Sequence, residues 1–192
     1  MCKGSDSVFE KTGIKKTDFY SIPNIICYFR ILLVPLFVYV YMNAETGSDY
    51  LGAAGVVGLS ALSDFLDGFI ARRFNMITEL GKLIDPVADK LTQFVVGIML
   101  MIEYPLFIIL VIAIVAKDSM LLFGGMYVFK TKNKHLAQAE LPGKIATATF
   151  FVVAIGLIAF NIPGTPLANT LIVVTTLLMI FAMIHYGKGL YN

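Results

Sequence analysis

Six long apolar stretches divide this chain of 192 residues, and each is long enough to cross a lipid bilayer. A transmembrane helix needs about 20 mostly apolar residues. The stretches cover residues 24–42, 50–71, 86–104, 106–129, 143–161 and 166–186. Short polar connections with glycine and proline separate them, and the sequence lacks the ten-residue alternation of membrane β-barrel strands. The pattern predicts an all-α integral membrane protein, built as a bundle of six transmembrane helices.

The composition narrows the class of protein further. Apolar residues make up 58% of the chain and charged residues 15%, whereas soluble domains carry about 25% charged residues. This excludes an ordinary soluble domain and a disordered chain, and two cysteines are too few for a disulfide scaffold. We predict one membrane domain over residues 1–192 with the lipid bilayer as a partner, and the net charge of +2 does not indicate nucleic-acid binding.

The distribution of lysine and arginine predicts the orientation. These residues lie in the N-terminal stretch, in the loop at 72–84, in the region 130–144 and at the C-terminus. The alternate loops contain Glu45, Asp49 and Glu103 but no lysine or arginine. Cytoplasmic loops carry the positive charge in membrane proteins. We therefore expect both termini on the cytoplasmic side of an inner membrane.

Residues 1–23 precede the first stretch and are too polar for a signal peptide. Phe9, Ile14, Phe19 and Ile22 could form the apolar face of a juxtamembrane amphipathic helix. A loosely ordered polar tail explains residues 1–15 equally well, and both interpretations stay open.

Four aspartates lie where two of the apolar stretches approach the cytoplasm. Asp64 and Asp67 are three residues apart near the end of the second stretch, and Asp85 and Asp89 are four apart at the start of the third. Each pair therefore shares a helix face. Because the second stretch runs towards the cytoplasm and the third runs back, we expect all four carboxylates at one depth. Ionisable groups inside a membrane span usually mark a functional site.

Four carboxylates in one cavity repel one another strongly. Protonation could neutralise them, but divalent cations are the favoured counter-charge. Oxygen ligands suit Mg²⁺, Mn²⁺ or Ca²⁺ rather than zinc. Two such ions about 3.5–4 Å apart clamp a phosphoryl group during in-line displacement. Gly68 and Gly81 allow a ligand or another backbone to approach closely, and Arg72 could hold a phosphate with two hydrogen bonds.

Other interpretations of the aspartates stay open. They could form structural ion pairs with Arg72, Arg73 and Lys90, or serve a cation or proton carrier. The chain could also be a structural or lipid-scaffolding membrane protein. A carrier normally places its site near the membrane midplane. The position of the aspartates at one edge favours a site that is open to soluble nucleotides.

The spacing of these residues resembles the signature of the CDP-alcohol phosphatidyltransferase family, D-x2-D-G-x2-A-R-x8-G-x3-D-x3-D. The eight fixed positions are Asp64, Asp67, Gly68, Ala71, Arg72, Gly81, Asp85 and Asp89. The six-span layout and the chain length agree with the family, so the resemblance covers nearly the whole chain.

The resemblance implies transfer of a phosphatidyl group from CDP-diacylglycerol to an alcohol, with release of CMP. It implies that two Mg²⁺ or Mn²⁺ ions are held by Asp64, Asp67 and Asp85, and that Asp89 takes the proton from the attacking hydroxyl and also belongs to the metal set. It implies a nucleotide pocket. The CDP-binding residues would be Asp64, Gly68, Ala71, Arg72 and Gly81. Family members often form homodimers, which makes a homodimer the expected assembly.

Residues 21–38 resemble the first span of the phosphatidylglycerophosphate synthases and of the cardiolipin synthases that use CDP-diacylglycerol. Arg30, Lys117 and Lys144 are therefore expected to bind an anionic glycerol acceptor. Snorkelling to the interface is the alternative for Arg30 and Lys144. The depth of Lys117 instead predicts pairing with Asp118 or with an acidic ligand.

The acceptor stays open between two glycerol compounds. Phosphatidylglycerophosphate synthases usually show A-R-E in the fourth span, whereas this chain has Ala116-Lys117-Asp118, which is more similar to cardiolipin synthases. Small members of the subgroup are more often phosphatidylglycerophosphate synthases. Glycerol 3-phosphate is therefore narrowly favoured, with phosphatidylglycerol as the alternative.

Overall fold

The computed structural model describes the backbone of residues 20–74, 78–132 and 141–191, without the side chains of residues 72, 79, 82, 122–132 and 188–191. Over these ranges the chain forms six α-helices and no strand. They are α1 (Ile22–Met42), α2 (Gly47–Arg73), α3 (Glu79–Glu103), α4 (Phe107–Lys132), α5 (Leu141–Phe160) and α6 (Pro166–Tyr191). The all-α prediction is confirmed, whereas the predicted N-terminal amphipathic helix falls mostly on residues 1–19, outside the described ranges.

Among the described residues, four helices are long and apolar enough to cross a membrane, namely α1, residues Gly47–Ala71 of α2, α5, and residues Pro166–Gly187 of α6. Large apolar side chains such as Leu32, Tyr39 and Val152 remain mostly exposed on them. Such surfaces suit contact with lipid, and the chain is an integral membrane protein. The charged residues of α3 leave it without an equally long apolar run, and the side chains of α4 are described only to residue 121. Membrane crossing by α3 and α4 stays a prediction.

Helix α3 begins earlier than hydropathy predicts. Its first residue is Glu79, seven positions before the predicted span and inside the predicted loop at 72–84. The segment E-L-G-K-L-I-D is too polar to register as part of a span, yet Leu80 is buried. An amphipathic turn of helix has this pattern, with one buried face and one polar face. Gly81 and Asp85 therefore lie on a helix and not in a loop.

Residues 1–95 contain the first of two compact units. Within it α1 packs against α2. Small buried residues on α2, Ala53 and Ala54 among them, permit close helix approach. A capping box closes the start of α2, where the Thr46 amide donates a hydrogen bond of 2.9 Å to Asp49 Oδ2.

Residues 96–192 contain the second unit, in which α6 packs against α4 and α5. The predicted turn at Tyr104-Pro105 is present, and the Phe107 amide donates to the Tyr104 carbonyl at 2.8 Å. Tyr104 is buried, and its hydroxyl donates to the Leu157 carbonyl at 2.9 Å and accepts from the Ile162 amide at 3.0 Å. This side chain therefore ties the α3–α4 turn to the end of α5.

Candidate active site

Three helices of the first unit bring the four aspartates into one group, which we term the aspartate cluster: Asp64 and Asp67 on α2, Asp85 and Asp89 on α3. Asp64, Asp67 and Asp89 contact the same guanidinium group, that of Arg30 on α1. Asp67 and Asp85 both accept hydrogen bonds from another side chain of α1, that of Cys27. The structure thus places together the residues that their spacing predicts to share one depth.

Arg30 lies inside the aspartate cluster. Its side chain is about 2% exposed. Nη1 forms ion pairs with Asp64 Oδ1, at 2.7 Å, and with Asp89 Oδ1, while Nη2 pairs with Asp67 Oδ2. The open alternative of structural ion pairs named Arg72, Arg73 and Lys90 and did not include Arg30. Arg30 can reach the carboxylates because α1 packs on α2.

Cys27 is the second α1 side chain in the cluster, one turn before Arg30. It is fully buried, and its thiol donates to Asp67 Oδ2 at 3.3 Å and to Asp85 Oδ1. One ligand atom from each of Cys27, Asp67 and Asp85 lies within 4.8 Å of the others, a spacing that could hold a metal ion. The carboxylate oxygens suit a hard divalent cation, whereas the sulfur is a softer ligand.

The aspartate cluster has a closed end and an open end. Asp67 is 4% exposed as a residue, beside the fully buried Cys27. The side chains of Asp64 and Asp89 are 50% and 44% exposed. A ligand can therefore reach the carboxylates of Asp64 and Asp89, while Asp67 stays screened from solvent.

A hydrogen-bonded triad fixes the start of α3 against α1. The buried Asn24 donates through Nδ2 to Thr78 Oγ1 at 3.0 Å, and the Gly81 amide donates to the same oxygen at 3.0 Å. A Cβ at position 81 would lie 2.7 Å from Asn24 Oδ1, closer than real Cβ contacts. Glycine is therefore needed here for packing, beside the nucleotide role that the resemblance implies.

The remaining predicted nucleotide residues lie along α2. Gly68 follows Asp64 by one turn, and Ala71 follows Asp67 by one turn. Both are therefore on the faces of α2 that carry the aspartates. The side chain of Arg72 lies outside the described set, so its phosphate-binding role stays a prediction.

The two predicted acceptor residues beyond Arg30 belong to the second unit. Lys117 is 4% exposed, and its Nζ donates to Thr147 Oγ1 at 3.2 Å and pairs with Asp118 Oδ1 at 3.3 Å. Asp118 is one of the two partners that the depth of Lys117 predicts, and an acidic ligand is the other. Lys144 is exposed on α5. Acceptor binding by either lysine stays a prediction.

Sequence reasoning missed two residues of the site, Asn24 and Cys27. A usable pattern was present, because Asn24, Cys27 and Arg30 recur every three residues within an apolar stretch. Polar groups at that spacing lie along one side of a helix. Arg30 alone was singled out, because a charge in a span is more conspicuous than an amide or a thiol.

Comparison with known proteins places this geometry in a family. The family model for CDP-alcohol phosphatidyltransferases matches residues 20–185. The CDP-diacylglycerol–glycerol-3-phosphate 3-phosphatidyltransferase of Aquifex aeolicus (strain VF5) is 30% identical over 170 residues, which cover 85% of this chain and 88% of that protein. The CMP-forming cardiolipin synthase of Streptomyces coelicolor is 38% identical over 117 residues, 59% of this chain and 54% of that protein.

A third relative matches a shorter part of the chain at a higher sequence identity. The CDP-diacylglycerol–glycerol-3-phosphate 3-phosphatidyltransferase of Escherichia coli K12 is 42% identical over 71 residues, 37% of this chain and 38% of that protein. The chain thus matches most of the Aquifex protein but about half or less of the other two. The family model covers the whole aspartate cluster together with Cys27 and Arg30. The chain belongs to the CDP-alcohol phosphatidyltransferase family, as its signature predicts.

Proposed function

We propose that this chain transfers the phosphatidyl group of CDP-diacylglycerol to glycerol 3-phosphate and releases CMP. The observation that carries the proposal is the open end of the aspartate cluster, where Asp64 and Asp89 are half exposed beside a buried Asp67. The Aquifex relative, which is named for this reaction, matches along 88% of its own length.

In the proposed reaction the acceptor hydroxyl oxygen forms a bond to the phosphorus of the phosphatidyl group, and the bond from that phosphorus to the CMP oxygen breaks. Asp89 takes the hydroxyl proton, since its half-exposed carboxylate can meet an incoming alcohol. The electron pair of the broken bond leaves with CMP. Holding the two substrates in line supplies much of the remaining catalysis.

We assign two divalent cations, Mg²⁺ or Mn²⁺, to Asp64, Asp67, Asp85 and Asp89. When bound, these ions would offset negative charge on the pyrophosphate and on the departing CMP. The donor atoms fit, because carboxylate oxygens dominate the cluster and one mixed set lies within 4.8 Å. Gly68, Ala71, Arg72 and Gly81 are proposed to shape the CDP pocket.

The membrane arrangement belongs to the same proposal. All six helices would span an inner membrane, with both termini and the aspartate cluster on the cytoplasmic side, where soluble glycerol 3-phosphate can enter and CMP can leave. Arg30, Lys117 and Lys144 would contribute positive charge for the anionic acceptor. We expect one domain per chain and a homodimer.

Phosphatidylglycerol is the second candidate acceptor. The Streptomyces relative is named as a cardiolipin synthase and is 38% identical over 117 residues. The motif Ala116-Lys117-Asp118 also resembles that subgroup. Both acceptors are anionic and present a primary glycerol hydroxyl, so the same carboxylates serve either reaction.

The product identifies the acceptor. Purified protein is incubated with CDP-diacylglycerol and, in separate reactions, glycerol 3-phosphate, phosphatidylglycerol, inositol phosphate or serine, and the lipid product is identified by its mass. We expect phosphatidylglycerophosphate and CMP only with glycerol 3-phosphate, and only with Mg²⁺ or Mn²⁺ present. Cardiolipin from phosphatidylglycerol would replace the first proposal with the second. Ion flux into liposomes without any lipid product would refute both.

A further inference from the structure

The guanidinium of Arg30 occupies the space that three proposed metal ligands face. Nη1 meets Asp64 Oδ1 and Asp89 Oδ1, and Nη2 meets Asp67 Oδ2. The same Nη2 lies 3.9 Å from Cys27 Sγ. An arginine and a carboxylate frequently pair through two parallel hydrogen bonds, one guanidinium to one carboxylate. Here three carboxylates from two helices converge on one cation.

A divalent ion that bridged the same three oxygens would need that space. Mg²⁺ sits about 2.0–2.1 Å from each oxygen ligand, closer than a guanidinium nitrogen normally approaches. The two cations would also repel each other at this range. Arg30 in its present position and a loaded ion between Asp64, Asp67 and Asp89 are therefore alternatives.

In its present position, Arg30 neither balances the charge of the carboxylates nor makes all of its own hydrogen bonds. Arg30 supplies one positive charge against three contacting carboxylates. In addition, the buried Nε of Arg30 has no hydrogen-bond acceptor among the described residues. A buried charged donor without an acceptor is unfavourable. These features fit a guanidinium that a divalent ion can replace better than one that is a permanent part of the site.

We propose that Arg30 is the resident counter-cation of the aspartate cluster and that divalent ions displace its guanidinium when they load. This inference rests on the proposed function, because it takes the aspartates as the metal ligands. The displaced guanidinium remains tethered to α1 beside the cluster, where an anionic acceptor can receive it. Metal loading and acceptor binding then favour each other, and such coupling is reciprocal.

The first test measures Mn²⁺ binding to the purified full chain after removal of metals with EDTA, using the electron paramagnetic resonance of free Mn²⁺. Arg30→Gln removes the competing charge, so we expect it to bind Mn²⁺ at least about tenfold more tightly, or ~1.4 kcal/mol. We also expect its metal-free form to melt at a lower temperature and to gain more from added Mn²⁺ than the native chain. Unchanged or weaker Mn²⁺ binding by a cooperatively melting Arg30→Gln protein would overturn the proposal.

Arg73→Gln is the matched control, because Arg73 is an exposed arginine near the end of α2. It loses the same formal charge without a role in the cluster. We expect its Mn²⁺ affinity to stay within about twofold of native, since exposed charges are largely screened. A tenfold gain in this control as well would show that general charge, and not displacement of Arg30, explains the effect.

A second measurement does not depend on the stability of the variant. In the native chain, the guanidinium nitrogen resonances of Arg30, assigned by their loss in Arg30→Lys, should shift on titration with diamagnetic Mg²⁺. Resonances that keep their positions while Mg²⁺ binds would overturn the displacement.

The acceptor arm separates this inference from the proposed function. With saturating Mn²⁺ and CDP-diacylglycerol, Arg30→Gln should raise KM for glycerol 3-phosphate about tenfold or more while kcat changes less. An unchanged KM would overturn the transfer of Arg30 to the acceptor. If the native chain neither binds Mn²⁺ nor forms a lipid product, the proposed function fails and this inference fails with it.

Discussion

Each of the two units buries a basic side chain beside acidic side chains. The units differ in the number of carboxylates that surround this basic side chain. In the first unit Arg30 contacts three carboxylates, and two of these are about half exposed. In the second unit Lys117 pairs with Asp118, whose side chain is 15% exposed, and donates to Thr147. A paired lysine and aspartate is close to neutral and closed to solvent. Surplus carboxylates that remain open to solvent attract further cations, whereas the charges of Lys117 and Asp118 largely balance each other.

The largest contrast is expected in catalysis. Asp89→Asn removes the proposed base and should lower CMP release by about 10²–10⁴-fold, with little loss of folded protein, because the change also relieves repulsion among the carboxylates. Asp118→Asn should keep turnover per folded molecule within a few-fold of native. CMP release and thermal melting are measured on both proteins. Near-normal rates for Asp89→Asn would show that the base is misassigned.

The second contrast concerns stability in the second unit. Lys117→Met leaves the carboxylate of Asp118 without its cation, and breaking a buried ion pair by removing one partner costs about 3–5 kcal/mol. The double change Lys117→Met with Asp118→Leu should recover most of that loss, as apolar replacement of a complete pair is often neutral. Chemical denaturation in micelles gives the free energies. A double variant that is stable but has a raised KM for the acceptor would support the proposed role of Lys117 in acceptor binding, and an unchanged KM would contradict that role.

The third contrast compares two glycines of the first unit. A Cβ at Gly81 would meet Asn24 Oδ1 at 2.7 Å, whereas nothing lies within 4 Å of a Cβ at Gly58. Gly81→Ala should therefore destabilise by about 1–3 kcal/mol, through overpacking. Gly58→Ala should be neutral or stabilising by up to about 1 kcal/mol, through helix propensity. Equal melting temperatures for the two variants would contradict the close contact.

The most local effect is expected at the turn of the second unit. Tyr104→Phe removes the hydroxyl that joins the Leu157 carbonyl to the Ile162 amide. Losing such a buried bridge costs about 1–3 kcal/mol. Hydrogen exchange at the Ile162 amide should accelerate while turnover of the folded protein stays near native. A loss of turnover without faster exchange would extend the active site to this turn.

Sequence reasoning succeeded where one spacing rule applies. The separations Asp64–Asp67 and Asp85–Asp89 require shared helix faces, and the antiparallel order of two apolar stretches brings the pairs to one level. The same reasoning predicted the turn at Tyr104-Pro105. Apolar length predicted the helices, although four of them meet the criteria for membrane crossing within the described residues.

The rest depends on which helices face each other. The position of Arg30 among the aspartates requires α1 to pack on α2, and a periodic pattern in α1 does not specify its neighbour. Hydropathy does not predict the early start of α3 at Glu79, because the first turns of this helix are amphipathic. Cys27 enters the sequence analysis only as one of two cysteines, since only its contacts with Asp67 and Asp85 give the thiol a chemical setting.

The hydroxyl of Thr78 affects the position of residues that follow it along α3. It accepts hydrogen bonds from Asn24 Nδ2 and from the Gly81 amide, and it donates to Asn24 Oδ1 at 3.2 Å. The bond from Gly81 lies within the first turn of α3, and the bonds with Asn24 join that turn to α1. Asp85 and Asp89 follow on the same helix, seven and eleven residues downstream, with Pro86 between them. With a rise of about 1.5 Å per residue, Asp85 lies about two helical turns beyond this anchor. Thr78 is not among the proposed site residues, yet it helps to position the carboxylates that we propose as metal ligands and base.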